Sequence, residues 1–272
     1  MPAPAIEWIA PAVVLRAQPV GDADVVAVLL CPTRGRIDAF GRGVRSSRKR
    51  FEGAALQPFN VVEAGVQPAR KAGMPTLAGA VVRSALLGPS PSYPQLVAGS
   101  YLLEMAGQLC QPGHADPPLF RWTVAWIEAC GRADEAALPA LLAAAELGAL
   151  SVAGMLVDLR RCARCGASLH AGAAWPAGAD GLACHGCRPA GAPWLSAAVL
   201  AVLDAAARGA AVERVADLDA ATWALVSDRA RAQLHHALRG PLRAGMAVAD
   251  TLRSPAAAPT LAAFAGSAGR SR

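Results

Sequence analysis

Four cysteines stand in two tight pairs, Cys162-x2-Cys165 and Cys184-x2-Cys187, with eighteen residues between the pairs. Each pair wraps one turn and can set two thiolates about 4 Å apart, and two such turns facing each other complete the tetrahedral sulfur shell that a zinc ion prefers. Four sulfurs leave no open coordination position for water or substrate. The expectation is therefore one structural Zn²⁺ that holds a small loop-rich lobe together and performs no reaction. Two disulfides, or four unrelated thiols, are the plainer alternatives. His170 and His185 are candidate substitute ligands, although His185 lies inside the second pair and should point away when both flanking sulfurs bind. The stretch between the pairs holds Gly166, Gly172, Pro176, Gly178 and Gly181, and Gly186 lies inside the second pair. These residues permit tight turns, and the stretch has too little apolar periodicity to build a core of its own. Cys31, Cys110 and Cys130 sit in apolar surroundings and read as small core residues. An odd total of seven cysteines without a secretion signal fits a reducing cytoplasm.

The second constellation is Gly41-Arg42-Gly43-Val44-Arg45-Ser46-Ser47-Arg48-Lys49-Arg50, five cations in nine residues. The run leaves an expected strand for a loop bearing glycine and serine, where guanidinium forks and backbone N–H groups can reach successive phosphates. Arg34 and Arg36 stand one strand earlier and would extend the patch. A solvated hairpin tip is the bland reading. Against it, clustered like charge raises the energy of the free protein, and an anion relieves that repulsion. The candidate nucleic-acid contacts are thus Arg34, Arg36, Arg42, Arg45, Arg48, Lys49 and Arg50.

Catalytic patterns are missing. The sequence has no Gly-x4-Gly-Lys-Ser/Thr, no Gly-x-Gly-x2-Gly after a strand, no His-Glu-x2-His and no Gly-x-Ser-x-Gly. The Cys-x2-Cys of a zinc deaminase would need an upstream His-x-Glu, which does not precede Cys162. His235 and His236 are adjacent on an expected helix and face different directions, so they make no dyad. The chain reads as a non-enzyme.

The elements that must position these groups change character along the chain. Up to about Leu87, five short apolar runs (residues 11–17, 24–31, 35–41, 56–63 and 76–84) are separated by glycine, proline and charge, as in a five-stranded barrel. Alternation along Arg36-Ile37-Asp38-Ala39 places even positions outside, and Phe40 is expected to break it. An OB-fold leads this class, and an SH3-like barrel would give nearly the same text. After Pro94 the period becomes helical through Leu96, Val97, Tyr101, Leu102, Met105 and Leu109, then 119–129 and 138–150, with further helices expected over 194–208 and 220–238. Tyr101, Trp122 and Trp126 recur at helical spacing and read as core. The expected organisation is α+β and multidomain: a barrel domain over 1–88, a helical domain over 89–253 with the cysteine lobe inserted at 161–190, and a disordered tail over 254–272. Residues 1–88 carry 11 basic and 6 acidic side chains, 89–160 carry 3 and 7, and 161–272 carry 12 and 7. Basic ends around an acidic middle point to an anionic partner held by the ends. The N-terminus lacks the basic and apolar regions of a signal peptide, and no eighteen-residue stretch is free of charge, proline or glycine. A cytoplasmic chain without a membrane partner is expected.

Several of these stretches resemble the bacterial RecO family of recombination mediators: Gly41-Arg42-Gly43-Val44-Arg45, Arg48 to Phe51, Leu56-Gln57-Pro58-Phe59, Tyr101-Leu102-Leu103-Glu104, and Arg161-Cys162-Ala163-Arg164-Cys165-Gly166. The similarity runs from about residue 10 to about 245. The resemblance implies an N-terminal OB-fold, binding of single- and double-stranded DNA and strand annealing without nucleotide hydrolysis. It also implies partnership with RecR and the single-stranded DNA-binding protein, close to the nucleoid. A zinc-ribbon accessory protein that binds RNA or a polymerase is the rival reading; the long helical insertion between barrel and ribbon counts against it.

Overall fold

Five strands, β1 (Glu7–Val20), β2 (Asp24–Cys31), β3 (Gly35–Gly41), β4 (Asn60–Gln67) and β5 (Thr76–Ala85), close into a barrel in the order β1-β2-β3-β5-β4. The computed structural model describes residues 5–47, 49–52, 54–69, 73–209, 215, 217–238 and 240–252. β1 serves both edges because its pairing shifts register twice, between Ile9 and Ala12 against β4 and between Val14 and Arg16 against β2. All pairings are antiparallel except that of β3 with β5, where Phe40 faces Thr76 and Gly41 faces Leu77. A closed five-stranded barrel with this single parallel contact is an OB-fold. Its interior is filled by Val14, Ala27, Leu29, Ala64 and Leu77, with Phe51 and Leu56 inserted from the irregular segment that follows β3.

Six helices follow: α1 (Tyr93–Leu109), α2 (Pro117–Arg132), α3 (Leu138–Val152), α4 (Ala197–Ala207), α5 (Ala220–Ala237) and α6 (Ala244–Leu252). Caps set their starts. Ser92 and Gln95 form a reciprocal capping box on α1, and Asp116, Ser196 and Asp219 accept from the first turns of α2, α4 and α5. Central α3 packs on α1, α2, α4 and α5. Glu146 is fully buried there, accepting from the Tyr101 hydroxyl of α1 at 2.7 Å and from the Ser227 hydroxyl of α5. The stretch Glu135–Val152 is long and apolar enough by length and composition to cross a membrane, but it carries Glu135, Pro139, Glu146 and Gly148 and here is the mostly buried core helix and the 3-10 turn before it.

One core joins the two halves. Val13, Leu15, Val28, Leu30 and Val61 on the barrel's outer face belong to the same buried cluster as Leu102 and Met105 of α1. Phe59 locks the junction: its backbone is left-handed at φ 72°, and a Cβ on Gly99 of α1 would lie 3.0 Å from its ring. At the other side Gly35 has φ 62°, and a Cβ there would lie 2.0 Å from the carbonyl oxygen of His114.

Three expectations need correction. The fourth strand spans Asn60–Gln67 and not 56–63, because Leu56 is buried within a turn that ends at left-handed Phe59. Phe40 does not break the alternation of β3, since it is half-buried like Arg36 and Asp38 while Ala39 is buried. Trp194 and Leu195 are not helical; they form a short strand β7 against β6 (Ala173–Ala174), and Ser196 starts α4 after them. Helix α6 was unanticipated. The expected tail, 254–272, lies outside the described residues.

Candidate nucleic-acid interface and metal centre

The cysteine lobe leaves α3 and returns to α4. Turn one is closed by Gly166 N–H donating to the Cys162 carbonyl at 2.9 Å, with Gly166 at φ 71°; turn two is closed by Cys187 and Arg188 N–H groups donating to the Cys184 carbonyl at 3.0 Å. Ala163 N–H donates to Leu182 O at 2.9 Å, which brings the turns face to face. The four sulfurs of Cys162, Cys165, Cys184 and Cys187 then lie within 4.8 Å of one another. The Sγ atoms of Cys165 and Cys184 are 3.7 Å apart, against about 3.8 Å for the edge of a tetrahedron with Zn–S near 2.3 Å. No two of these sulfurs are bonded, and the Cys165–Cys184 separation is well beyond the roughly 2.05 Å of a disulfide, so the arrangement suits a metal ion better than two disulfides. Backbone N–H groups of Cys184 and Cys165 draw the Cys162 thiol down to about 6, while hydrogen bonds with the thiols of Cys165 and Cys184 push Cys187 up to about 12. Thiols this crowded cannot all ionise alone, and a cation among them lifts that conflict. The cluster can hold a metal ion through these four residues. Neither histidine joins it: His185 meets the Trp194 ring edge-on at 6.0 Å, and His170 Nδ1 faces Ser168 Oγ at 3.3 Å. Leu169, Trp175, Leu182 and Leu195 sink from the lobe into the helical core, and Arg229 of α5 donates to Trp175 O at 3.2 Å.

The basic run forms a loop pinned at both ends. Gly43 N–H donates to the Asp24 carboxylate at 2.7 Å and Arg45 N–H to Ala23 O at 3.1 Å, so the loop is tied to the β1–β2 hairpin. At its far end Phe51 is buried in the barrel, and the Arg50 guanidinium stands 5.4 Å over the Phe51 ring. Arg50 also donates to Arg42 O at 2.8 Å and Ser47 Oγ at 3.2 Å, which folds the loop upon itself. Between these anchors Arg42, Arg45 and Lys49 are exposed, and among the described residues no carboxylate pairs with them. Arg48 lies outside the described residues. Arg34 and Arg36 are placed differently, at the opposite end of β3 from the loop. Arg34 pairs with Glu7, and Arg36 Nε donates to Asp38 at 3.0 Å. The structure therefore brings Arg42, Arg45, Lys49 and Arg50 together and leaves Arg34 and Arg36 apart.

Comparison with known proteins decides the family. The model for the recombination protein O N terminal domain matches residues 5–85, and that for the recombination protein O C terminal domain matches residues 91–244. The chain belongs to the RecO family. Relatives named DNA repair protein RecO include one from Anaeromyxobacter sp. (strain K), 36% identical over 178 residues, 65% of this chain and 69% of the relative. Another from Thermobifida fusca is 35% identical over 207 residues, 72% and 80% of the two chains. A third from Frankia casuarinae is 33% identical over 229 residues, 80% and 85%.

The stretches that resemble the family have visible structural work in this member. Leu56 and Phe59 of Leu-Gln-Pro-Phe fill the barrel and lock it to α1; Tyr101 and Glu104 of the α1 stretch bond α3 and α6. Asp24 and Phe51, the loop's anchors, escaped the sequence reading. An apolar residue directly after a run of cations is the signal that would have flagged Phe51. His235 and His236 have ring centroids 6.2 Å apart and are both exposed. Of the C-terminal arginines, Arg229 and Arg231 are engaged with Asp228 and Glu146, and Arg239 lies outside the described residues.

Proposed function

We propose that this RecO-family chain is a DNA repair and recombination mediator that works by binding, without turnover of nucleotide. Its loop neutralises the backbones of single- and double-stranded DNA, leaves bases free to pair, and so lowers the repulsion that opposes annealing of complementary strands. With RecR it helps load recombinase onto DNA coated by the single-stranded DNA-binding protein, in the cytoplasm beside the nucleoid. The observation that carries this reading is the exposed set Arg42, Arg45 and Lys49 on a loop pinned by Asp24 and Phe51. The cysteine cluster takes one zinc ion in this reading, a structural staple for the lobe. An RNA- or polymerase-binding ribbon protein would present its ribbon as a separate module, whereas here the lobe's Trp175, Leu182 and Leu195 are part of the helical core.

The experiment mixes complementary oligonucleotides, coated with the cognate single-stranded DNA-binding protein, with this chain and no ATP. Duplex should form, and log K for DNA binding should fall against log salt with a slope near −0.7 per single-strand phosphate contact, roughly −3 for four contacts. No duplex and no salt dependence would refute the reading.

A further inference from the structure

Trp8 is the most open of the six tryptophans, at 52% exposure, and it stands on the outer face of β1. The register pairs Trp8 with Gly65 of β4, and Gly65 with Gly79 of β5, so the three residues form one row across three strands. A Cβ on Gly65 would lie 3.2 Å from Trp8 Cζ2 and 3.3 Å from Cε2, and one on Gly79 would lie 3.5 Å from Cη2. The indole thus lies over two glycines and reaches from its own strand to β5. Neither glycine has a positive φ; the missing side chain leaves room at Gly65 for the indole and for Ile6, and at Gly79 for the Arg50 carbonyl oxygen, with the ring tip at ordinary contact distance. Both glycines are buried beneath it while the ring itself remains open to solvent. Ile6 and Val81, exposed at 48% and 38%, flank the row.

The row ends at the basic loop. The position that a Gly79 Cβ would take is 2.8 Å from Arg50 O, and Ala80 N–H donates to that same carbonyl at 2.8 Å. The tip of the indole and the backbone of Arg50, the last residue of the cluster, therefore border one glycine. Of the neighbouring carboxylates, Glu63 is paired with Arg83, and exposed Glu52 lies beside the same stretch of β5, its N–H donating to Ala80 O at 3.3 Å. Trp194, the next most exposed tryptophan, is arranged otherwise: it is clasped between Gly172 and the Arg188 guanidinium, 5.4 Å over its ring.

We propose that Trp8 is a base-stacking seat for single-stranded DNA. It receives one unstacked base on its open face while the adjoining phosphates lie along the loop of Arg42, Arg45, Lys49 and Arg50. Every base offers a π-face, so the seat is indifferent to sequence, and a duplex keeps its bases stacked, so the seat distinguishes single from double strands. This rests on the proposed function for the phosphate contacts and adds to it the group that reads strandedness.

The test measures binding of oligo(dT), of an abasic strand with the same number of phosphates, and of a duplex, to the parent chain and to W8A, W8L and W8F. W8L keeps an apolar cover over the glycines and W8F keeps an aromatic face, so folding and stacking are separated. The parent should prefer oligo(dT) to the abasic strand. W8A and W8L should bind oligo(dT) about 5- to 100-fold more weakly with the salt slope unchanged, W8F should retain most of the affinity, and duplex and abasic binding should not move. Emission from Trp8 should also be quenched by oligo(dT) in the parent. If W8L keeps the parent's preference for oligo(dT) over the abasic strand, the seat is overturned while the phosphate loop stands. If the parent binds none of the three DNAs, loop and seat fall together.

Discussion

Glu104 in α1 is bonded to the backbone of Ala244, 140 positions later, its carboxylate accepting from that N–H at 2.9 Å and from the N–H of Arg243 at 2.9 Å. A side chain from another helix thus caps α6, whose first turn has no acidic residue of its own. Glu104→Ala should free α6 at a cost of about 1–2 kcal/mol. Hydrogen exchange should accelerate over 244–252 and hardly change in α3. Equal acceleration in both helices would show that the contact supports the whole core and not one helix.

For the cysteine cluster the expected stoichiometry is one zinc per chain. Titrating the native protein with a mercurial, while a chromogenic chelator reports the metal, should release that zinc across four equivalents. The buried thiols of Cys31, Cys110 and Cys130 should react only after unfolding. Zinc binding at such sites is worth on the order of 10–16 kcal/mol at neutral pH, so Cys162→Ser should disorder the lobe and lower solubility. A folded parent chain that releases no metal would falsify the assignment.

Burial raises the Cys130 thiol from 9.0 to about 12. In the unfolded chain this thiol ionises near 9.0 while the native one stays protonated, so its stabilising contribution is complete below pH 9 and is lost as pH rises from about 9 toward 12. The parent's stability should therefore fall above pH 9 by up to about 1.4 kcal/mol per pH unit more steeply than that of Cys130→Ala. Urea midpoints of the two proteins between pH 8 and 10.5 measure the difference; parallel curves would contradict it.

The two arginine groups should separate by salt titration. Arg42→Ala, Arg45→Ala and Lys49→Ala together should flatten the slope of log K against log salt for single-stranded DNA by about 2. Arg34→Ala with Arg36→Ala should change it by less than about 0.5, because Glu7 and Asp38 already neutralise those guanidiniums. Equal flattening by both sets would mean that DNA also tracks the far end of β3.

Much of this fold is legible because the hydrophobic pattern carries it. β2 and β3 fall where their apolar runs fall, and Tyr101, Trp122 and Trp126 are core residues, as their helical spacing demands. The cysteine spacing brings four sulfurs together, since two short turns leave the thiols little else to do. What the pattern hides is set by distant partners. β4 starts late because Phe59 turns the chain to meet Gly99, and Trp194 leaves the helix for a strand because Ala174 waits twenty residues upstream. Helix α6 depends on Glu104, which no local signal reveals. The separation of Arg34 from Arg45 follows from strand length: the seven residues of β3 span about 20 Å.

Val13 and Leu30 of the barrel share a core with Leu102 of α1, and the lobe's Trp175 shares it too. No hinge therefore separates the loop on the barrel from the surfaces of the helices. If the proposed function holds, a strand seated on that loop would be held at a set distance and angle from anything bound to the helical half, as if on a ruler.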